Sequence, residues 1–334
     1  MQNKQIRLAA RPVGNPKDSD FQLTIEETPP LSTNDVLVEV QQLSLDPAMR
    51  GWMNDARSYI PPVKIGAVMR AGGAGKVIAS ENPNFAIGDM VTGSLGIQQY
   101  WHVPEGKGLV KIDTRIAPLS TWLSTLGMTG MTAYFGIMDV GAIKEGDVVV
   151  VSGGAGAVGA VVGQVAKLKG CRVVGIAGGQ DKVDYMVNEL GFDAGIDYRS
   201  GDLRKALRAA CPEGIDVYFD NVGGDILDTC LSMIRMKARI VICGAISQYN
   251  NTEGVVGPKN YLSLLVNRAR MEGMVVFDYA ARYHEAISAM GTWLKEGKMI
   301  TKEHIVEGGV EDFLPTLMTL FGGDKIGKLI LKIA

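Results

Sequence analysis

Residues 148–159 read VVVVSGGAGAVG and constrain the fold more than any other stretch of the chain. Four consecutive valines predict a buried strand, and residues 160–169 predict a helix with one apolar face. Between the two lie Gly154, Gly156 and Gly159, in a GxGxxG pattern. Glycines at this spacing let backbone N–H groups approach a pyrophosphate, and the helix N-terminus favours its negative charge. We therefore predict a dinucleotide-binding unit, because a glycine-rich turn that binds nothing does not explain this spacing.

Length and composition narrow the class of protein. The 334 residues suffice for two domains, and 46% hydrophobic with 21% charged residues is typical of a globular enzyme. A net charge of -2 gives no electrostatic basis for binding nucleic acid or an anionic membrane. The sequence has no apolar run near the roughly 18 residues that span a bilayer, and no secretory signal at its N-terminus. We therefore expect a cytoplasmic protein without nucleic-acid or membrane partners.

Cysteine and histidine residues give no sign of a metal site. No two of the four cysteines have the CxxC spacing. His102, His284 and His304 lie far apart, so a zinc site would need long-range assembly without a local signature. Cys171 and Cys243 lie within or beside apolar, strand-like runs. We expect both to be buried thiols, and we expect no metal.

The pattern of predicted secondary structure changes near residue 120. Before it, residues 36–41 and 90–93 predict strands among frequent prolines and glycines, which is typical of an irregular β domain. Residues 120–138 predict a helix with a glycine-rich interruption, and from residue 147 strands and helices alternate, which indicates a parallel sheet with helices on both faces. The predicted strands are 148–152, 172–177, 215–219, 239–243 and 272–277, and the predicted helices include 182–190, 226–233 and 284–296. A last strand, 328–334, is expected to return to the first domain.

The residues that follow the second predicted strand of this unit, 172–177, indicate whether it binds NAD or NADP. NAD enzymes usually place Asp or Glu there to bind the ribose 2′-hydroxyl, whereas this chain has glycines at 178–179. Lys182, Tyr198 and Arg199 follow and offer positive charge and a hydroxyl donor for a 2′-phosphate. Asp181 is the counter-argument, since its spacing is close to the NAD expectation; we interpret it as the N-cap of the following helix. We therefore predict NADP rather than NAD.

Several motifs, in order, resemble the zinc-independent medium-chain dehydrogenase/reductases over essentially the whole chain. The matching segments are LSLDPAMRGWM (43–53), NDARSYIPPVKIG (54–66), LGMTGMTAYFG (126–136), GGAGAVGAVVGQVAKLKGCRVVGIAG (153–178), YFDNVGG (218–224), ICGAISQYN (242–250) and DKIGKLIL (324–331). The greatest likeness is to the branch with leukotriene 12-hydroxydehydrogenase/prostaglandin reductase, plant double-bond reductases and bacterial curcumin reductase. The resemblance implies an α/β fold in which a GroES-like β-rich catalytic domain (1–122 and 303–334) accompanies a doubly wound Rossmann NADP-binding domain (123–302). It also implies a homodimer that pairs the last Rossmann strand, near residues 274–277, across a two-fold axis.

The same resemblance implies a set of contacts to NADP(H). The pyrophosphate would lie on residues 156–159, and Lys182 with Tyr198 would bind the 2′-phosphate. Asn221 and the loop 243–249 would lie along the cofactor towards its nicotinamide. Carried over by position, the implied residues are Met128, Thr132, Gly156, Ala157, Val158, Gly159, Lys182, Tyr198, Asn221, Cys243, Gly244, Ser247, Tyr249, Met274, Val276 and Lys325.

The substrate side departs from the family pattern. Where relatives often read DPYMR, this chain has Ala48, and Trp52 stands where smaller or charged residues are common. Trp52, Tyr59 and Tyr261 are candidates for the substrate wall. Arg50 would either bind an acidic substrate tail or form a structural ion pair with Asp46 or another carboxylate, which we favour. The Cys and His ligands of zinc-dependent relatives are absent from the sequence, so we expect no Lewis-acid alcohol oxidation.

Without zinc, the substrate must already be electrophilic, as an enone or enal is. The expected reaction reduces the carbon–carbon double bond by hydride transfer from NADPH to the β-carbon. Tyr249 would then donate a hydrogen bond to the enolate oxygen, with a ribose hydroxyl of the cofactor as the competing donor and a shielding loop tyrosine as the alternative role. NADPH-dependent quinone reduction is the second expectation. An NADPH-binding structural or sensory protein without turnover is the third.

Overall fold

The computed structural model describes residues 1–323 and 325–334, which divide into two compact units. The first unit joins both chain ends, Met1–Ser124 and Glu303–Ala334, and the second is Thr125–Lys302. In chain order the strands are β1 (Gln2–Leu8), β2 (Phe21–Glu27), β3 (Val36–Ser44), β4 (Gly72–Ser80), β5 (Met90–Gly93), β6 (Tyr100–Val103), β7 (Val110–Lys111), β8 (Val148–Ser152), β9 (Arg172–Ala177), β10 (Ala194–Asp197), β11 (Ile215–Asp220), β12 (Ile234–Ile242), β13 (Arg270–Gly273), β14 (Glu303–Glu307) and β15 (Lys328–Lys332). The helices are α1 (Ala48–Trp52), α2 (Met128–Phe135), α3 (Ala157–Leu168), α4 (Gln180–Asp184), α5 (Leu203–Ala210), α6 (Gly224–Leu231), α7 (Leu262–Asn267), α8 (Tyr283–Lys295) and α9 (Phe313–Gly322).

The second unit is built on one six-stranded sheet. Its strands run parallel in the order β10-β9-β8-β11-β12-β13, the order typical of dinucleotide-binding folds. Strand β8 lies inside the sheet, where Val149, Val150 and Val151 are fully buried. This explains why the valine run is continuous rather than alternating, because strands covered on both faces are apolar on both. The predicted α/β fold class is confirmed, and strands 148–152 and 172–177 have the predicted bounds.

Three predicted elements of this unit need correction. The strand expected at 272–277 is instead β13, which ends at Gly273, and a 3-10 helix follows at Val276–Arg282. The helix expected over 120–138 begins only at Met128 and continues as a π-helical segment, Gly136–Val140. Asp181 is not an N-cap: α4 begins at Gln180, and its N-cap is Gly179 with a φ of 102°. The backbone there takes a conformation that only glycine adopts at low cost, so the cap follows backbone freedom rather than a side-chain acceptor.

The first unit is β-rich. Its larger sheet has the order β14-β15-β3-β4-β5-β7, with β6 also paired to β3, while β1 and β2 form a separate antiparallel pair. The C-terminal strand β15 runs antiparallel to β3, which confirms that the segment after residue 328 returns to the first domain. The core beneath includes Leu8, Leu43, Met49 and Leu317, all fully buried.

A buried ion pair joins the two chain ends within this unit. Lys328 is 1% exposed, and its Nζ donates to the Leu45 carbonyl at 2.8 Å and to Asp46 Oδ1 at 2.7 Å. The Ser44 hydroxyl donates to the other carboxylate oxygen of Asp46 at 2.5 Å. Burial alone would raise the pKa of Asp46, but the charge and hydrogen bond of Lys328 outweigh it and hold that pKa below its usual value. Asp46 is therefore ionised at neutral pH and ties the start of α1 to β15.

Replacing Lys328 with methionine should cost about 3 kcal/mol of unfolding free energy, because it leaves the Asp46 carboxylate without its counter-charge. The contribution of Asp46 is present above its unfolded pKa and fades as the pH falls towards the lowered folded value, so the gap between variant and wild type should narrow in acid. Urea unfolding at neutral and acidic pH measures both effects. The matched control is Lys332→Met on the same strand, which removes an exposed pair with Glu307 and should cost at most about 1 kcal/mol. Equal losses for the two variants would contradict the assignment.

Candidate cofactor site

The turn between β8 and α3 has the form of an anion-binding turn. A Cβ added to Gly159 would lie 2.3 Å from the Gly153 carbonyl oxygen, so the close approach of the helix to the turn requires glycine there. Gly156 is the N-cap of α3 and has no side chain to cap the first N–H groups of the helix. Those N–H groups, and the positive end of a helix from Ala157 to Leu168, can therefore serve an external anion. The residues present fit the pyrophosphate of a dinucleotide.

Two further glycines hold α3 close to the sheet and its flank. A Cβ on Gly154 would lie 2.6 Å from the Met186 sulfur, and one on Gly163 would lie 1.9 Å from the Phe192 ring. The packing of α3 therefore depends on missing side chains at both positions. Only Gly154 of these two belongs to the GxGxxG pattern.

A glycine at the tip of β9 makes room for a cationic side chain. A Cβ on Gly178 would lie 2.7 Å from Arg199 Nε and 3.0 Å from the Tyr198 ring, so both side chains border the space above this glycine. The Arg199 guanidinium lies 5.7 Å from the centroid of the Tyr198 ring. Lys182 follows on α4 and is largely buried. The corner presents positive charge where a NAD-specific chain would present a carboxylate.

Asp197 fixes this corner, and the sequence analysis did not single it out. Its Oδ1 accepts hydrogen bonds from the backbone N–H groups of Gly179 and Arg199, both at 2.9 Å. These two bonds lower the pKa of Asp197. The carboxylate thus joins the end of β9 to the end of β10 and places Tyr198 and Arg199 beside Gly178 and Gly179. Its position directly before Tyr198 and Arg199 was the only available sequence signal.

The carboxylate of Asp220 joins the ends of two neighbouring strands. Asp220 is 1% exposed, and its Oδ1 accepts from the Ser152 hydroxyl at 2.9 Å and the Tyr218 hydroxyl at 2.7 Å. The backbone N–H groups of Val222 and Gly223 donate to the same oxygen, each at 3.0 Å. Burial, with the nearby negative charge, raises the pKa of Tyr218 well above its usual value, so its phenol stays protonated and donating.

The backbone around Asp220 extends this connection to a third strand. The Asp220 carbonyl accepts from the N–H groups of Cys243 at 2.9 Å and Gly244 at 3.1 Å, just after β12. The Asn221 side-chain amide donates to the Ser152 carbonyl at 2.7 Å. The carboxyl ends of β8, β11 and β12 are thereby held together, at the edge of the sheet where α/β folds bind their ligands.

Tyr249 makes a hydrogen bond within its own loop, residues 243–249. The phenol oxygen of Tyr249 accepts from the Ala245 N–H at 3.1 Å, and a Cβ on Gly244 would lie 3.0 Å from that oxygen. The Ser247 hydroxyl donates to the Val222 carbonyl at 2.6 Å and ties the loop to the turn after Asp220.

Tyr283 brings together two segments that the sequence analysis assigned to the cofactor. Its hydroxyl donates to the Val276 carbonyl at 3.0 Å and lies 3.7 Å from the Met128 sulfur. The Thr132 hydroxyl donates to the Met128 carbonyl at 2.8 Å within α2. Met274 is buried, and its backbone N–H donates to the Ile242 carbonyl at 3.0 Å. Met128, Thr132 and Val276 therefore lie close together in the second unit, and Met274 is held at the end of β12.

Two basic residues of the first unit have partners that the sequence did not indicate. Arg50 is 4% exposed and donates to the carbonyls of Pro12 at 3.0 Å and Gly14 at 3.1 Å. Its Nη1 donates to Asn54 Oδ1 at 2.5 Å. The expected ion pair with Asp46 or another carboxylate is wrong for the described residues, since Asp46 binds Lys328 and the partners of Arg50 are uncharged. The Lys325 Nζ donates to the Gly327 carbonyl at 3.1 Å, within the turn before β15.

Of the substrate candidates, Trp52 ends α1 and packs on the core, while Tyr59 and Tyr261 are more than half exposed. Tyr59 lies in the first unit and Tyr261 in the second. Ala48, which stands where relatives have an aromatic ring, is the first residue of α1. Their roles towards a substrate stay predictions.

The four cysteines are unpaired thiols. Burial raises the pKa of Cys171 and Cys211 to about 11 and that of Cys243 to about 12, and it raises the pKa of Cys230 well above the usual value. In the part of the chain that the structure describes, His, Cys, Asp and Glu form no group of three or more that could hold a metal ion. No helix among residues 1–323 and 325–334 is long and apolar enough to cross a membrane.

Comparison with known proteins places these features in a family. Two family models match, described as an N-terminal domain of oxidoreductase over residues 4–112 and a zinc-binding dehydrogenase over residues 157–292. The NADPH-dependent curcumin reductase of Escherichia coli (strain K12) is 41% identical, over 99% of this chain and 97% of the relative. The 2-alkenal reductase (NADP(+)-dependent) of Nicotiana tabacum is 40% identical, over 99% of this chain and 98% of the relative. The crystal structure of CurA in complex with NADPH from Vibrio vulnificus has a TM-score of 0.94 at 42% identity and covers 99% of each chain.

The strand order and the glycine turn are those of a dinucleotide-binding fold. The chain belongs to the zinc-independent medium-chain dehydrogenase/reductases. It is an NADP-dependent oxidoreductase, which confirms the predicted cofactor.

Replacing Arg199 with alanine should raise the KM for NADPH about tenfold, because a charge-assisted hydrogen bond to a phosphate contributes about 1.5–3 kcal/mol. The KM for NADH, which has no 2′-phosphate, should change less than about twofold on the same grounds. Initial rates with each cofactor measure the two constants. Arg204→Ala, an exposed arginine on α5, is the matched control. Parallel changes for both cofactors would show that Arg199 acts on folding rather than on the phosphate.

Proposed function

We propose that this protein reduces the carbon–carbon double bond of α,β-unsaturated ketones and aldehydes with NADPH. Relatives of about 40% identity are named for curcumin and 2-alkenal reduction, which supports this substrate class. The observation that carries the proposal is the Tyr249 phenol in the loop after β12, at the strand ends joined by Asp220. When bound, NADPH supplies the hydride, which adds to the β-carbon of the substrate.

We assign the cofactor contacts as follows. The first turn of α3 binds the pyrophosphate, and the basic corner of Lys182, Tyr198 and Arg199 binds the 2′-phosphate. Met128, Thr132, Met274 and Val276 contact the nicotinamide end of the cofactor. The remaining proposed contacts are Asn221, Cys243, Gly244, Ser247 and Lys325. In this assignment Thr125–Lys302 is the Rossmann NADP-binding domain, and the first unit is the GroES-like catalytic domain.

Tyr249 stabilises the charge that develops on the carbonyl oxygen of the substrate. Reduction at the β-carbon turns the carbonyl into an enolate, and an oxyanion away from water is costly unless a donor is already in place. The Ala245 N–H donates to the phenol oxygen at 3.1 Å, so this oxygen is held within the loop before the substrate arrives. The enolate then takes a proton from solvent water at the α-carbon, which gives the saturated ketone or aldehyde and leaves hydroxide to the solvent.

Nicotinamide absorbance in the presence of benzalacetone, a neutral enone, tests this function directly. We expect oxidation of NADPH with formation of the saturated ketone, and much slower oxidation of NADH. Product analysis is essential, because reduction of the carbonyl instead would give an unsaturated alcohol. Rapid oxidation with menadione and none with enones would favour a quinone reductase. Tight NADPH binding without turnover of either compound would favour a non-catalytic binding protein.

Replacing Tyr249 with phenylalanine should lower kcat with benzalacetone about 100-fold, because the enolate loses a preplaced donor. The dissociation constant for NADPH, followed by its fluorescence, should change little. Tyr100→Phe, on β6, is the control for loss of a phenol elsewhere. A loss of kcat below about threefold would assign the donor role to the ribose hydroxyl of the cofactor. Weaker NADPH binding with normal kcat would show that Tyr249 only closes the loop.

We also propose a homodimer that forms along β13. This strand is the last of its sheet, its four residues are exposed, and an exposed edge strand usually needs covering. Exposed apolar side chains lie on or near it, among them Leu265, Val266 and Met271. Sedimentation velocity should give twice the mass of the chain for the wild type and a monomer for Leu265→Glu. The cytoplasmic location stays a prediction, which cell fractionation tests.

A further inference from the structure

The segment that follows β13 leaves the sheet of the second unit. β13 ends at Gly273, and the Met274 N–H makes a last bond towards β12, to the Ile242 carbonyl at 3.0 Å. From Val276 the chain forms a 3-10 helix, which continues to Arg282. Hydrogen bonds within a 3-10 helix have poorer geometry than those of an α-helix or a sheet. The position of this segment therefore depends more on side-chain contacts than that of the strands before it.

The hydroxyl of Tyr283 holds the start of this 3-10 helix. Tyr283 is the first residue of α8, and its phenol donates to the Val276 carbonyl at 3.0 Å, seven residues back along the chain. The Met128 sulfur, 3.7 Å from the same hydroxyl, is the weaker acceptor, so the carbonyl is the main partner. Burial raises the pKa of Tyr283, and the hydroxyl stays protonated and donating at neutral pH. One hydrogen bond thus joins the two ends of the segment 276–283.

Aromatic and charged contacts fix the start of α8 against α2. Phe135 is fully buried, and its ring centroid lies 4.8 Å from that of Tyr279 and 6.3 Å from that of Tyr283. The Arg282 guanidinium lies 5.1 Å from the centroid of the Phe135 ring. Two nitrogens of Arg282 donate to the two carboxylate oxygens of Glu285 at 2.9 and 3.0 Å, which fixes the plane of the guanidinium. The Tyr283 ring is therefore placed by neighbours on both α2 and α8.

The same face of α2 carries two of the residues that we assign to the nicotinamide. Met128, Thr132 and Phe135 lie four and three residues apart, which puts them on one face of the helix. A Cβ added to Gly136, directly after α2, would lie 3.5 Å from Met274 Cγ, so the end of this helix packs against the other assigned segment. Tyr283 approaches residues of both groups, on α2 and after β13.

We propose that Tyr283 is a positioning residue for the nicotinamide of NADPH, because its hydroxyl holds the Val276 backbone in the place where the ring binds. This role rests on the proposed assignment of Met274 and Val276 to the nicotinamide end, and it adds a residue outside that set of contacts. Binding costs less free energy when the protein segment is ordered before the ligand arrives. Without the hydroxyl, the Val276 carbonyl loses a donor, and the segment must be ordered by the nicotinamide itself. Binding of the nicotinamide end then weakens, whereas binding of the adenosine end does not.

Two ligands that share the adenosine 2′-phosphate test this role. NADPH carries the nicotinamide, and adenosine 2′,5′-bisphosphate does not. Tyr283→Phe keeps the ring beside Phe135 and removes only the hydroxyl. It should raise the dissociation constant of NADPH about fivefold, the loss expected for one hydrogen bond. The dissociation constant of adenosine 2′,5′-bisphosphate, measured by isothermal titration calorimetry, should change less than about twofold, since its contacts do not include Val276.

Tyr134→Phe is the matched control. Tyr134 lies on α2 with its ring centroid 5.3 Å from that of Phe135, and its hydroxyl makes no hydrogen bond to the residues that the structure describes. This variant should leave both dissociation constants at their wild-type values. The same selective loss of NADPH binding in Tyr134→Phe would contradict the proposal.

Two results with Tyr283→Phe would overturn the positioning role. Unchanged binding of NADPH would show that the nicotinamide does not depend on this hydroxyl. Equal weakening of both ligands would show a general effect on the fold. The comparison requires no turnover, so it decides on Tyr283 even if the wild type fails to reduce benzalacetone, a result that would overturn the proposed function alone.

Discussion

One buried carboxylate, that of Asp220, holds together the strand ends at which we propose the cofactor binds. Asp220 accepts four hydrogen bonds at one oxygen, two from the side chains of Ser152 and Tyr218 and two from the backbone of the next turn. A charge removed from water is tolerated only when it is satisfied in this way. The same residue's carbonyl binds the segment after β12, so three strand ends are placed by one residue. The glycine turn supplies space for a cofactor, and Asp220 determines where the neighbouring loops stand around that space.

Acidic residues position the rest of the structure by similar short contacts. Asp197 binds two backbone N–H groups and so places the basic corner, although the acid itself would repel a phosphate. Asp46 binds Lys328 and joins strands from the two ends of the chain. In each case hydrogen-bond donors within the protein satisfy the carboxylate, and the groups that face outward are cationic or neutral. This division explains how a chain with a small net negative charge can present a site for anions.

The sequence predicted the parts of the fold that depend on local pattern. The valine run and the glycine spacing gave β8, β9 and the turn after β8, because burial on both faces and close backbone approach leave direct marks in composition. The ends of β13 and the start of α2 were misplaced, because apolar residues there serve a 3-10 helix and a turn as well as regular elements. The joining role of Asp220 could not be predicted, since it depends on contacts with Ser152, Cys243 and Gly244, which are distant along the chain. Strand–helix alternation and the glycines at 178–179 already predicted the α/β sheet and NADP, and the family resemblance added the contacts along the cofactor but not the partners of Arg50.

The state of the four thiols has a consequence for an enzyme of this proposed kind. Unsaturated aldehydes and ketones alkylate cysteine, and the reactive form is the thiolate rather than the thiol. Burial raises the pKa of Cys171 and Cys211 to about 11, that of Cys243 to about 12 and that of Cys230 well above its usual value, so these cysteines hold very little thiolate at neutral pH. Three of them are also enclosed by the core. An enzyme that reduced such electrophiles would therefore keep its own thiols in the form that they alkylate least.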